Sequence, residues 1–168
     1  QKRWLAVQRF RLAFMDVFKI VTAFTIAHSI TLSLAALGVL ALPSRLIEAA
    51  IAASVFLAAL NNLFPLVYGK RWLVAFVFGL IHGFGFASVL ADLGLPQDEL
   101  LIALVGFNLG VEAGQLAIVA VFLPIAYALR ATRFYRNGVL LLGSLLIAAL
   151  AALWFIERAF DVTLLFGK

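Results

Sequence analysis

Five apolar runs dominate the chain, at residues 20–42, 46–67, 72–90, 100–129 and 139–155, and the residues between them are few, basic or proline-bearing. A hydrocarbon core of ~30 Å is crossed by about 20 residues of helix, a length that each run but the last meets comfortably. With 65% hydrophobic and 12% charged residues in 168, and a mean hydropathy of +1.13, there is too little polar surface to dissolve such runs in a globule. The expected fold is all-α, a polytopic transmembrane helix bundle of about five spans in contact with the lipid bilayer. Residues 1–19 read as a basic amphipathic interfacial segment, residues 20–158 as the bundle, and residues 159–168 as a C-terminal tail. In the first segment Phe10, Phe14, Val17 and Val21 recur at helical spacing, with Lys2, Arg3, Arg9, Arg11, Asp16 and Lys19 largely off that stripe.

The net charge of +5 is topological in origin. Ten Lys and Arg residues fall on one side: five in the N-terminal segment, Lys70 and Arg71 in the second connection, and Arg130, Arg133 and Arg136 in the fourth. The other side has Arg45, Arg158 and Lys168, and its third connection carries Asp92, Asp98 and Glu99. That asymmetry puts the N-terminus in the cytoplasm and the C-terminus outside. Basic residues so placed do not form a nucleic-acid surface, and nucleic acid is excluded as a partner. The absence of cysteine rules out both a disulfide frame and a thiolate metal site. Pro43 closes the first span, after which Ser44 is placed to cap the second.

Against this apolar background a few polar residues stand out. His82 lies within GLIHGFGFAS (residues 79–88) and His28 within FTIAHSITL (residues 24–32), and these are the only two histidines. The fourth run contains GFNLGVEAGQ (residues 106–115), in which Asn108, Glu112 and Gln115 recur at i, i+4 and i+7. Gly106, Gly110 and Gly114 recur every fourth residue roughly opposite, and predict a close helix neighbour on that face. Thr22, Thr25, Ser29 and Ser33 form a stripe on the first span; Ala50, Ser54, Ala58 and Asn61, with Asn62 next to it, mark the second.

Depth tests whether these groups can meet. At ~1.5 Å per residue, His28 lies ~12 Å from the cytoplasmic face, His82 ~15 Å, Glu112 ~12 Å, Asn108 ~18 Å and Asn61 ~8 Å. One polar layer, and therefore one pocket, is the expectation. Its ligand set would be His28, His82 and Glu112, with Asn61, Asn62, Asn108, Gln115, Ser29 and Thr25 as supporting polar groups. Imidazole, carboxylate and amide oxygen suit a divalent ion such as Ni²⁺, Co²⁺ or Zn²⁺ as substrate, bound weakly enough to leave, and no resident cofactor is required. The contrasting reading is a non-transporting scaffold or accessory subunit whose polar side chains only knit helices together, although a carboxylate is an expensive choice for that task. Intramembrane zinc hydrolysis is disfavoured, because the residues are spread over three helices without an HExxH arrangement, and the chain reads as a non-enzyme. Bis-histidine haem ligation lacks any mark of a propionate site. Assembly into a homo-oligomer is compatible with all of this.

Four stretches resemble the HupE/UreJ family of bacterial membrane proteins: FTIAHSITLSLAALG (residues 24–38), LPSRLIEAAIAASV (residues 42–55), FGLIHGFGFASVLADLGLP (residues 78–96) and FNLGVEAGQLAIV (residues 107–119). The resemblance implies a polytopic inner-membrane protein associated with nickel or cobalt handling for hydrogenase and urease maturation. It also implies a second histidine and a glutamate downstream of His82 and Gly83, where this chain has Phe86 and Val89. The Asp-His pair that nickel permeases of the family carry on an early helix is not in this sequence. Longer relatives bear that helix upstream, so a piece of a longer chain or a shortened relative is expected.

Overall fold

The computed structural model describes residues 7–87 and 96–165. Among them are five helices and no strand: α1 (Phe10–Ala36), α2 (Ser44–Leu63), α3 (Arg71–Gly85), α4 (Gln97–Leu129) and α5 (Phe134–Phe160). Four are long and apolar enough to cross a membrane, and α3 is a shorter apolar helix. The helical membrane bundle expected from the apolar runs is therefore what the chain forms. Expectations that fall on residues 1–6, 88–95 and 166–168, among them the end of the third run, Val89 and Asp92, lie outside the described residues.

Several boundaries differ from the sequence reading. α1 begins at Phe10 and passes without a break from the basic stretch into the apolar run. The last helix outruns its apolar run at both ends, by residues 134–138 and 156–160, and its first nine residues, Phe134–Leu142, are π-helix. α2 is capped by Pro43 and not by Ser44, which is the first helical residue; proline pre-sets the backbone for helix entry. α4 retains Pro124 inside it, near the end of 33 residues, a helix of ~50 Å that exceeds a bilayer core and must tilt or project.

Neighbouring helices lie in the lateral order α4, α1, α3, α2, α5. The closest contact is α1 against α3, which run parallel. A Cβ added at Gly79 would sit 2.9 Å from Ala27 Cβ and 3.1 Å from the carbonyl carbon of Phe24, with the Phe24 carbonyl oxygen nearer still. One turn on, a Cβ at Gly83 would meet Thr31 Oγ1, the His28 carbonyl oxygen and the Leu32 amide. Two glycines four apart thus remove the steric barrier to backbone approach, the common device for packing helices in lipid, where no hydrophobic drive favours one apolar surface over another. The glycines of α4 behave differently. Gly106, Gly110 and Gly114 have nothing within 4 Å, so the close neighbour expected there is absent among the described residues and the tight seam belongs to α3.

Polar contacts tie the two ends. At the amino-terminal end Asp16 pairs with Arg71 at 2.9 Å, Tyr127 donates to the Gln8 carbonyl, and Arg130 donates to the Val7 carbonyl at 2.9 Å. At the opposite end Arg45 donates to the carbonyls of Arg158 and Ala159, and Arg158 pairs with Glu48 at 2.8 Å. Glu157, 2% exposed, accepts the backbone N–H groups of Leu164 and Leu165 and folds the chain back after α5.

Candidate functional site

The α1–α3 seam carries both histidines. His28 is 2% exposed and faces a set of aromatic rings contributed by three helices or their ends. Phe24 stacks on it at 5.9 Å between centroids and Phe107 at 6.4 Å, while Phe86 meets it edge-on at 5.9 Å. His82 meets the same Phe24 edge-on at 5.3 Å, so a single phenyl ring borders both imidazoles. Helical spacing explains this: Phe24 and His28 are one turn apart on α1, and Gly79 and Gly83 bring the backbone of α3, with His82 on it, against that turn.

The two rings differ in their hydrogen bonding. Ser54 of α2 lies 2.9 Å from His82 Nε2 and donates its proton to the Ile51 carbonyl at 2.7 Å. A hydroxyl has one proton; with it spent on the Ile51 carbonyl, Ser54 Oγ accepts from Nε2–H, an assignment that follows from this hydrogen-bond pattern and puts the lone pair of His82 on Nδ1. On His28 neither ring nitrogen has a hydrogen-bond partner among the described residues, although both are buried. The small Ser54, which the sequence marks only as part of a small-residue face, is thus the residue that orients His82. Phe24 and Phe107 are equally unmarked, because aromatic residues in an apolar run carry no signal of which face they occupy, whereas Phe86 is marked only by the resemblance, as the residue that stands where a second histidine is implied.

The remaining polar residues assemble elsewhere. Thr22 donates to Glu112 Oε1 at 3.4 Å and Thr25 to Gln115 Oε1 at 3.2 Å, which places this carboxylate and this amide in the α1–α4 contact. Ser29 donates to the Thr25 carbonyl at 2.7 Å within α1. Asn108 Oδ1 is buried and has no partner among the described residues. Asn61 spends its side-chain oxygen on the backbone N–H groups of Leu66 and Val67 where the chain leaves α2, and Asn62 is exposed. Among the described residues no three His, Cys, Asp or Glu side chains come together closely enough to hold one ion. In place of the single chamber expected from depth, the described residues form two polar contacts around α1: His28 and His82 at the α1–α3 seam, with Ser54 of α2 on His82 and Phe107 of α4 against His28, and Glu112 and Gln115 of α4 bonded to Thr22 and Thr25. Equal depth does not fix the direction in which a side chain leaves its helix.

Apolar helices long enough to cross a bilayer, with a buried and a half-buried imidazole between them, define a polytopic membrane protein with an internal polar site. The family model described as HupE / UreJ protein matches residues 4–158, nearly the whole chain, and the chain belongs to that family. Comparison with curated proteins and with solved structures gives no match.

Proposed function

We propose that this membrane protein binds a divalent transition-metal ion of the nickel or cobalt kind at the His28–His82 pair and passes it across the bilayer. The observation that carries the reading is the pair of buried nitrogens on His28 that have no partner among the described residues. A neutral imidazole keeps one N–H and one lone pair in either tautomer, and burying such groups unpaired costs ~1–3 kcal/mol, a cost that a bound cation and its water would offset. His82 complements it: Nε2–H is held by Ser54, which turns the Nδ1 lone pair into the ligand, as a second hydrogen bond commonly orients a metal-binding histidine. The aromatic faces around His28 add a surface that favours positive charge.

Two imidazoles hold an ion less firmly than the three or four protein ligands of a permanent site, and a transport step requires release. Glu112, held by Thr22, is a separate carboxylate station on the α1–α4 side, suited to accepting the ion or a proton. The family membership supports nickel or cobalt as the ion and the bacterial inner membrane as the location, and the ten-to-three distribution of Lys and Arg supports a cytoplasmic N-terminus.

A second reading, a scaffold or accessory subunit, is favoured by the hydrogen bonds Thr22–Glu112, Thr25–Gln115 and Ser54–His82, each of which ties two helices as structural glue would. Uptake of Ni²⁺ and Co²⁺ into sealed vesicles, compared between the protein and its His28→Gln and His82→Gln variants, separates the two. The metal reading expects each variant to lose about 90% or more of the uptake, the effect of removing one of two ligands. Equal uptake in all three rejects it and leaves the scaffold.

A further inference from the structure

One cavity of about 200 Å³ opens at the end of the bundle where α1 meets α2. Its walls include Ala35, Ser44, Ile47, Glu48, Phe84 and Gly85, and it has room for several waters and one carboxylate to greet a cation. It stops short of the histidines. α2 and α3 run antiparallel there, and their contacts form rungs. Ser54 bonds His82 on one rung; three residues back on α2 and three forward on α3, Ile51 faces Gly85 on the next. Beyond that second rung lie Ile47 and Glu48, which line the cavity. Among the described residues the Ile51–Gly85 rung therefore lies between the cavity and the Ser54–His82 pair, ~4.5 Å along the helix axes.

The fit at that rung is close. A Cβ on Gly85 would come within 2.7 Å of Ile51 Cδ1, so the missing side chain of Gly85 is the recess into which the tip of Ile51 drops. We infer that Ile51, seated on Gly85, is an apolar gate between the outer cavity and His82. A hydrocarbon contact this close leaves no room for water or a hydrated ion between Ile51 and Gly85, while a χ rotation of the one side chain opens it. The inference rests on the metal reading only for what passes the gate, because the barrier itself is a matter of water access.

The natural chain has no cysteine, so a single introduced thiol reports access without background. Ser54→Cys places the thiol at His82, and Leu40→Cys places one in the wall of the cavity. Each variant is held in lipid nanodiscs, where both faces are open, and reacted with a membrane-impermeant trimethylammonium methanethiosulfonate, with labelling followed by mass. The gate predicts fast labelling at position 40 and slow labelling at position 54, and a rise of about tenfold or more at position 54 when Ile51→Ala is added. Leu57→Ala, an exposed position on the same helix, is the control that leaves the rate unchanged. Where Ile51→Ala does not fold, Ile51→Val, which removes only the Cδ1 atom seated on Gly85, carries the test with a rise of about threefold. Labelling at position 54 as fast as at position 40, or a rate that the Ile51 substitution leaves within about twofold, overturns the gate. Those results would leave the uptake test standing, and failed uptake dependence on His82 would leave the labelling pattern standing, so the two readings fail separately.

Discussion

Alanine at Gly83 should cost more than its single methyl suggests. The added Cβ would land among the His28 carbonyl, the Leu32 amide and the Thr31 hydroxyl; the first two belong to the α1 backbone and cannot rotate aside. Ordinary contact requires α1 and α3 to separate by ~1 Å along the seam, and a gap of 0.5–1 Å already forfeits about a quarter to a half of each dispersion contact. Overpacking of this kind costs about 1–3 kcal/mol. The same substitution at Gly106, Gly110 or Gly114 meets nothing within 4 Å and removes a flexible residue from a helix interior, so it should be neutral or stabilise by a few tenths of a kcal/mol.

The assay is equilibrium unfolding of the purified protein in mixed micelles, followed by far-UV circular dichroism, with the four alanine variants in parallel. Gly83→Ala should fall below the wild type by about 1–3 kcal/mol while the three α4 variants stay within ~0.5 kcal/mol of it. A Gly83→Ala variant as stable as the wild type would refute the seam. So would an α4 glycine as sensitive as Gly83, since it would show a helix packed where the structure has open space.

Two other substitutions probe the site and the chain end. Phe86→His sets an imidazole where a phenyl now lies 5.9 Å from His28, so Ni²⁺ affinity by calorimetry should rise by about tenfold or more as a third nitrogen joins the pair, and vesicle uptake should slow because release slows. Unchanged affinity would show that His28 does not ligate. Glu157→Ala removes the acceptor for the Leu164 and Leu165 N–H groups, and should lower stability by about 1–3 kcal/mol and speed limited proteolysis after α5, whereas Glu157→Gln recovers part of both. Proteolysis at the wild-type rate in the alanine variant would refute the latch.

Much of the fold was legible because a bilayer reduces folding to one question, where the apolar runs begin and end. Those runs located every described helix, and the basic residues between them sorted onto the ends where Asp16 meets Arg71 and Arg130 meets Val7. The histidines were legible as a pair for the same reason: imidazole in an apolar run has few neutral explanations. What the sequence could not supply was azimuth. The glycine spacing of GFNLGVEAG and of GLIHG is the same four residues, yet only the second lies against another backbone. Glu112 has the depth of His28 but leaves its helix toward Thr22, and Asn61 is drawn to the free N–H groups at the end of α2, a local demand that outweighs any distant pocket.

The site and the strongest packing contact share atoms, which constrains how this protein can be altered. Gly83 follows His82 directly and rests on the carbonyl of His28, so the distance between the imidazoles is set by the closeness of the α1 and α3 backbones. A change that loosens the seam must also move the two rings apart, and lost uptake in Gly83→Ala would follow from geometry without any loss of a ligand. Ser54 offers the opposite case. It touches His82 from α2, outside the seam, so Ser54→Ala should leave the helices in place while freeing the ring to turn its Nδ1 away from the ion. A site made of precisely held rings therefore expects uptake to fall in Ser54→Ala with a stability loss of about 1 kcal/mol, that of one hydrogen bond, and with the α1–α3 seam intact, and to fall together with the seam in Gly83→Ala. A pair of histidines that served only to knit the helices would show no uptake to lose in either.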